Sequence, residues 1–271
     1  MNTNIDKVQA EAGMELRDLL TDPGFPLRKK QQRDLKREAD SFRRLAAVFA
    51  GSSNVILQEL VNIAVDLCGA NSAGISLEEA DEAGELRFRW VAVAGSFATF
   101  VNGTTPRFFS PCGTCINRRT PQLYKVTKPY YDYLGIEAEP ITDGILIPWM
   151  VGDARGTLWA VAHDSEEAFD IEDYLLLKSI SDFAAVAIRH QLQQEVLRKQ
   201  EKMTAAISMA NDLAHQINNP LQSLTNVIYL AERGSQDIQP LLRQASAELD
   251  CLSDLVRRLL TLKNTVTGDV R

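Results

Sequence analysis

The chain has 271 residues, 45% of them hydrophobic, and carries a formal net charge of −7 at pH 7. That length favours two domains of ordinary size, each with enough apolar residues to bury a core of its own. The acidic balance argues against nucleic acid as a partner, because phosphate binding needs a surplus of clustered Lys and Arg.

The start, Met1-Asn2-Thr3-Asn4-Ile5-Asp6, lacks the basic and then apolar run of a secretory signal. No later segment approaches the about 18 consecutive apolar residues of a membrane span, so a cytoplasmic protein with no membrane partner is expected. From Ile5 to about Leu20 an amphipathic pattern predicts a short helix, which Thr21-Asp22-Pro23-Gly24-Phe25-Pro26 breaks. Leu27 to Phe49 reads as a second helix, with Leu35, Phe42, Leu45 and Val48 at helical spacings. Its basic run Arg28-Lys29-Lys30 reads as a solvated helix face, with contact to an acidic surface as the alternative. Residues 1–50 are therefore expected to be N-terminal helices.

Over residues 51–190 the pattern changes. Ile56, Leu60, Ile63, Ala64 and Leu67 fall on one side of a helix, and Ala73-Gly74-Ile75-Ser76-Leu77 is strand-like. Leu86 to Ala94 alternates apolar and polar residues in its first half, and Asp81-Glu82-Ala83-Gly84 before it suits a hairpin turn. A second strand pair, Gly144 to Val151 and Gly156 to His163, meets at Gly152-Asp153-Ala154-Arg155. Phe169-Asp170-Ile171-Glu172-Asp173 then opens a long helix carrying Leu175, Leu176, Ile180, Phe183, Ala184, Ala187 and Ile188. Helix, strands, an irregular stretch, strands and helix make an α+β order with an antiparallel sheet.

Residues 191–271 contain no strand signal. Met203, Ile207, Ala210, Ala214, Ile217, Leu221, Leu224 and Ile228 recur at steps of three and four, and after Gly234-Ser235-Gln236-Asp237 the pattern resumes with Leu242, Ala245, Leu249, Leu252, Val256 and Leu259. Two seamed helices joined by a short turn bury only half of their apolar stripe. A second copy covers the rest, which predicts a homodimer built on a four-helix bundle.

Two stretches resemble known families. Gly156-Thr-Leu-Trp-Ala-Val-Ala-His163-Asp164, Phe169-Asp170-Ile171-Glu172-Asp173 and Ser110-Pro111-Cys112-Gly113 are similar to a GAF domain, a small-molecule sensing module often found just upstream of histidine kinase helices. The run Asn211-Asp212-Leu213-Ala214-His215-Gln216-Ile217-Asn218-Asn219-Pro220-Leu221 resembles the phospho-acceptor box of two-component sensor histidine kinases. Together they imply a sensor that takes a ligand or redox signal, controls phosphotransfer at His215 and passes phosphate to a response regulator.

The residues themselves set out the chemistry. An imidazole facing water just outside the apolar stripe is a nucleophile toward phosphorus near neutral pH. Asn219, one helical turn beyond His215, is placed to orient a phosphoryl group or a water. Pro220 offers no N–H to the carbonyl of Gln216, which loosens the helix beside the histidine. Gln216 stands where the family has an acid, and an amide cannot take the ring proton. The resemblance also implies an ATP-binding domain needing on the order of 100 residues beyond Lys263, so the chain is not expected to phosphorylate itself. ATP then enters through a missing or a separate kinase domain. The alternative is a non-enzymatic, ligand-binding dimeric scaffold that docks partners.

In the sensor stretch, Cys112-Gly113-Thr114-Cys115 at a helix start is open to structural packing, to redox sensing with a thiol pKa lowered by the helix, or to a metal or haem, with His163 as the one further ligand candidate nearby in the chain. Cys68 and Cys251 complete four cysteines, too scattered for a disulfide framework. Trp90, Phe97, Phe100, Phe108, Phe109, Tyr130, Tyr131, Tyr133, Trp149 and Trp159 concentrate the aromatics in the same domain. The candidate ligand-binding set is Cys112, Cys115, Phe109, Tyr130, Trp149 and Trp159, around a small, partly apolar ligand. The His-rich surroundings of a phytochrome chromophore are missing, which argues against a bilin.

Overall fold

One antiparallel sheet is built from β1 (Met14–Asp18), β2 (Ser72–Ala80), β3 (Leu86–Gly95), β4 (Thr104–Pro106), β5 (Gln122–Val126), β6 (Asp143–Val151) and β7 (Ala154–Ala162), and the continuous apolar runs of β6 and β7 bury both of its faces there. The structure, a computed structural model, describes residues 8–28, 34–48, 53–233 and 238–266. Lys29, Lys30 and the interruption Gly234-Ser235-Gln236-Asp237 lie outside the described residues. Among the described residues the strand order is β1-β5-β6-β7-β2-β3-β4. The chain divides into two compact units, Met1–Gln194 and Glu195–Arg271, and no helix among the described residues is long and apolar enough to cross a membrane.

In the first unit the sheet separates two cores. Ile145, Ile147 and Trp149 of β6 and Leu158, Ala160 and Ala162 of β7 face helix α2 (Ser53–Cys68) and the first turns of the long helix α5 (Ile171–Glu232), where Leu60, Ile63, Leu177, Ile180 and Ala184 are buried. Leu146, Trp159 and Val161 between them face the other way, toward α3 (Pro111–Arg118) and α4 (Lys128–Leu134). Each fully buried Leu or Ile contributes roughly 1.5–3 kcal/mol. Register is therefore strongly specified, because a one-residue slip exchanges the two faces.

A bulge breaks the parity of β3. Ile75 pairs with Ala92 and Ser76 with Trp90, leaving Val91 extra. Phe88 and Trp90 before it and Val93 after it all join the α3/α4 face, while Ala92 and Ala94 join the helix face. The alternation read in the first half of this strand ends where one residue is inserted, and the facing of the side chains shifts by one from there.

The turns follow their residue types. β6 and β7 meet at Gly152-Asp153, with Gly152 at φ +57°. The Asp81 carboxylate accepts from the backbone N–H groups of Ala83 and Glu85 in the β2–β3 turn. At the start of α5, Asp170 Oδ1 accepts from the N–H groups of Glu172 and Asp173, and Asp173 Oδ2 accepts from that of Asp170. This reciprocal pair acts as a capping box.

The N-terminal region differs from its expectation. The predicted helix over Ile5 to Leu20 is replaced from Met14 by strand β1, which pairs with β5. Gly13 at φ +82° ends the preceding helical turn, and Met14, fully buried, then enters the α3/α4 core. The second predicted helix begins at Leu35, as α1 (Leu35–Val48), rather than at Leu27. Arg28 is not on a solvated helix face. Its guanidinium is buried, donates to both oxygens of Asp143 at 2.7 and 3.1 Å and to the carbonyl of Phe169 at 2.9 Å. Asp143 also accepts from the N–H of Ala168 at 3.0 Å, so a buried charge pair ties the N-terminal segment to the approach to α5.

In the second unit the chain runs along α5 and back through α6 (Ile238–Val266). Leu213, Ile217, Pro220, Leu224 and Val227 are the less exposed positions of the α5 segment, at steps of four and three; Leu241, Ala245, Leu252 and Leu255 play this part on α6. Gln244 Nε2 donates to Ser223 Oγ across the pair at 3.2 Å. Of the residues expected in one seam, Ile217 and Leu224 belong to this inner face. Ile207, Ala214, Leu221 and Ile228 instead form an exposed line at every seventh position.

Candidate functional site

A ring-lined cavity of about 70 Å³ opens on the α3/α4 face of the sheet, several times the about 10–15 Å³ that one water needs. Trp159 of β7, Tyr124 of β5 and Trp90 of β3 supply the sheet side, Cys112 of α3 and Tyr130 and Tyr131 of α4 the helical side, and Phe97, Phe100 and Ile141 the loops. Trp159 can lie flat because its neighbour in β2 is Gly74: a Cβ there would stand 2.2 Å from the indole ring. Tyr124 lies over Gly144 in the same way, at 2.5 Å. The Trp90 and Trp159 rings are 5.0 Å apart, with Phe97 and Phe100 at 6.4 and 6.3 Å from Trp90.

Of the ligand-binding residues chosen from the sequence, Cys112, Tyr130 and Trp159 line this cavity. Phe109 does not line it but packs against the same core, at φ +59°, with its carbonyl accepting from Tyr130 Oη at 3.1 Å. Cys115 is buried in that core and does not line the cavity, while Trp149 belongs to the opposite face of the sheet. The choice from sequence left out Trp90, Tyr124, Tyr131 and Thr105, all on the cavity wall. Strand parity marks Trp159 and Tyr124, but the bulge hides the facing of Trp90, and Thr105 carries no signal of its own.

The cysteine pair sits in packed surroundings. Ser110 caps α3 by accepting from the N–H of Gly113 at 3.1 Å. Cys112 Sγ accepts from Thr157 Oγ1 at 3.2 Å and from Ser76 Oγ at 3.7 Å, and Cys115 Sγ donates to the carbonyl of Leu146 at 3.6 Å. Burial pushes the Cys112 thiol up, the two hydroxyls offsetting part of the rise, and pushes that of Cys115 up further, helped by its neighbour Cys112. The expected lowering at the helix start is thus reversed, because desolvation of a thiolate outweighs the helix end.

Hydroxyls and carbonyls surround the two sulfurs, and among the described residues no group of three His, Cys, Asp or Glu side chains could hold a metal ion. His163 is engaged elsewhere: its ring lies 2.9 Å from the Pro140 carbonyl and 3.2 Å from Ser96 Oγ, and packs against Phe97. The residues do not fit a metal or haem at this pair.

In the second unit His215, Gln216 and Asn219 are all exposed on α5, and Pro220 is buried within the helix. Gln216, Asn219 and Pro220 border a groove whose other side is Glu248, Cys251, Asp254 and Leu255 of α6. His215 stands beside that groove and is not part of its lining. Asn219, four residues on, shares its side of the helix.

No protein-family model matches the chain, and no curated protein matches it either. Among solved structures, the GAF domain of a phosphoenolpyruvate-protein phosphotransferase from Coxiella burnetii is 18% identical with a TM-score of 0.46, the match covering 60% of this chain and 96% of that one. The GAF domain of the Acinetobacter phosphoenolpyruvate-protein phosphotransferase is 17% identical with a TM-score of 0.43, covering 56% of this chain and 93% of that one. The phycocyanobilin-bound GAF domain of a cyanobacterial phytochrome is 14% identical with a TM-score of 0.45, covering 58% and 96%. None of these values reaches the level at which a ligand, an activity or a partner passes from one protein to another.

Proposed function

We propose that the protein is a cytoplasmic, dimeric sensor of the two-component type. Its first unit is a GAF-like domain that takes a small ligand in the ring-lined cavity, and binding there controls phosphotransfer at His215. The observation that carries this reading is the exposed His215, with Asn219 one turn on, in the string Ala-His-Gln-Ile-Asn-Asn-Pro-Leu. A neutral ring nitrogen attacks the terminal phosphorus of a donor held by a separate kinase or kinase domain. The bond from that phosphorus to the donor's bridging oxygen breaks, and the ring proton leaves to a base on the donor side or to water. A response regulator then accepts the phosphoryl group. Signal passes along α5, which supplies residues to both units.

Support for a second copy comes from spacing. Ile207, Ala214, Leu221 and Ile228 on α5 and Leu242, Leu249 and Val256 on α6 recur at every seventh position and are exposed. That repeat is what a helical bundle presents to a partner helix pair.

The test is to incubate purified protein with ATP and a panel of histidine kinases and response regulators, and to map acid-labile phosphate by mass spectrometry. Label is expected at His215, dependent on an added kinase and abolished in His215→Ala. Absence of label at that position with every kinase overturns the phosphotransfer reading. Gln216 favours one rival, a ligand-binding scaffold that docks partners without phosphotransfer, because the amide cannot serve as the proton acceptor. The rival expects His215→Ala to leave signalling intact while substitutions in the cavity abolish it.

A further inference from the structure

The cavity on the α3/α4 face is small, and its wall is almost wholly carbon. No Asp, Glu, Lys, Arg or His lines it. The polar atoms carried by its lining residues are covered or already engaged. Trp90 Nε1, Trp159 Nε1, Tyr131 Oη and Thr105 Oγ1 are closed off by neighbouring atoms and present no surface to it. Tyr130 Oη donates to the Phe109 carbonyl at 3.1 Å, and Cys112 Sγ accepts from Thr157 Oγ1 at 3.2 Å. Burial pushes the Cys112 thiol up, so the sulfur stays neutral. An occupant therefore meets ring carbon and aliphatic side chains, among them Ile141 and Leu146.

Size and polarity together set what can enter. An apolar cavity of about 150 Å³ holds benzene, with its six heavy atoms. The cavity here, at about 70 Å³, is roughly half of that and holds about three heavy atoms. A polar or charged molecule of that size would give up its hydrogen bonds to water against a wall that returns none. An apolar one gives up no such bonds and gains contact with the rings. The space itself depends on two glycines: a Cβ at Gly74 or Gly144 would stand 2.2 or 2.5 Å from the ring of Trp159 or Tyr124 and push that ring into it. Ile136 is the most exposed lining residue, at 37%, and marks the way in, next to Gly135 at the end of α4.

We propose, on the premise that this cavity is the sensor's ligand site, that its ligand is an apolar molecule of about three heavy atoms, a light hydrocarbon.

The three tryptophans of the chain supply the readout, because Trp90 and Trp159 are on the cavity wall and Trp149 packs on the opposite face of the sheet. Their indole N–H resonances are followed by NMR on the full-length chain during titration with cyclopropane, acetonitrile, formate and benzene. The first three probes are matched in heavy atoms and differ in polarity and charge, whereas benzene differs from cyclopropane in size. Cyclopropane is expected to shift Trp90 and Trp159 saturably and to leave Trp149 in place. Acetonitrile and formate are expected to bind at least about ten-fold more weakly, and benzene not at all. Ile141→Ala and Leu134→Ala each take three carbons from the wall and are expected to admit benzene. Two variants are used so that loss of folding in one leaves the other, and the parent's selectivity decides alone if neither folds. No saturable shift with cyclopropane, equal binding of acetonitrile or formate, binding of benzene to the parent as tight as that of cyclopropane, or no benzene in a folded variant overturns the assignment. Phosphorylation at His215 is read separately: its failure removes the phosphotransfer role and leaves these shifts as they stand, whereas the failures just named remove the ligand class and leave phosphotransfer untouched.

Discussion

Cys112 and Cys115 show at the scale of single residues how burial overrides a local motif. Their C-x-x-C spacing at a helix start suggests reactive thiols, but desolvation raises both, as it raises Tyr124, Tyr130 and Tyr131. A group whose folded pKa is raised holds its proton in the native state after the unfolded chain has released it. The stability it contributes is complete below the ordinary values of 9.0 for Cys and 10.0 for Tyr, and is lost as pH rises from there toward the folded values. Urea titrations at stepped pH are expected to show stability falling from about pH 9 upward, and less steeply in Cys112→Ala and Cys115→Ala. The same scale holds the Arg28–Asp143 pair. Arg28→Ala leaves Asp143 buried without its cation and is expected to cost about 3–5 kcal/mol in urea denaturation, whereas the double change Arg28→Met with Asp143→Leu recovers much of that loss.

At the scale of elements, strand β1 and the bulge in β3 are where local pattern and observed structure part. Met14-Glu15-Leu16-Arg17 alternates, which is a strand signal, but four residues of alternation are easily absorbed into a longer amphipathic window. The edge of β5 decides the matter by pairing with them. Because Met14 is fully buried in the α3/α4 core, Met14→Ala is expected to destabilise by about 2–5 kcal/mol. A residue on a peripheral helix would cost far less, so the same denaturation measurement separates the two arrangements. The bulge acts on the cavity, since without the extra Val91 either Trp90 or Val93 would face the helices on the other side of the sheet.

For the whole molecule, the exposed line Ile207, Ala214, Leu221 and Ile228 with Leu242, Leu249 and Val256 of α6 is the feature that concerns assembly. Carboxylates placed in a dry seam would have to be desolvated without partners. Leu221→Glu with Leu249→Glu is therefore expected to convert a dimer into a monomer in light scattering, with little change in the tryptophan fluorescence of the first unit. A monomeric parent protein would remove the second copy from the proposal. Each helix thus presents two separate faces, one inward to its neighbour in the chain and one outward. One run of steps of three and four in the sequence blends them, since both faces draw on the same apolar residues.

Sequence periodicity by itself determined the order of elements: helix, two strand pairs and a long helix, with His215 exposed beside a proline on that helix. Residues three, four or two apart interact through the local geometry of the chain, and their pattern is written in the sequence. Only the tertiary structure decided that Arg28 is buried against Asp143, that Trp149 and Trp159 face opposite sides of the sheet, and that Trp90, Tyr131 and Thr105 share one cavity. Those arrangements depend on a bulge, an edge pairing and glycines beneath aromatic rings, each a meeting of residues far apart in the chain, which no local period encodes.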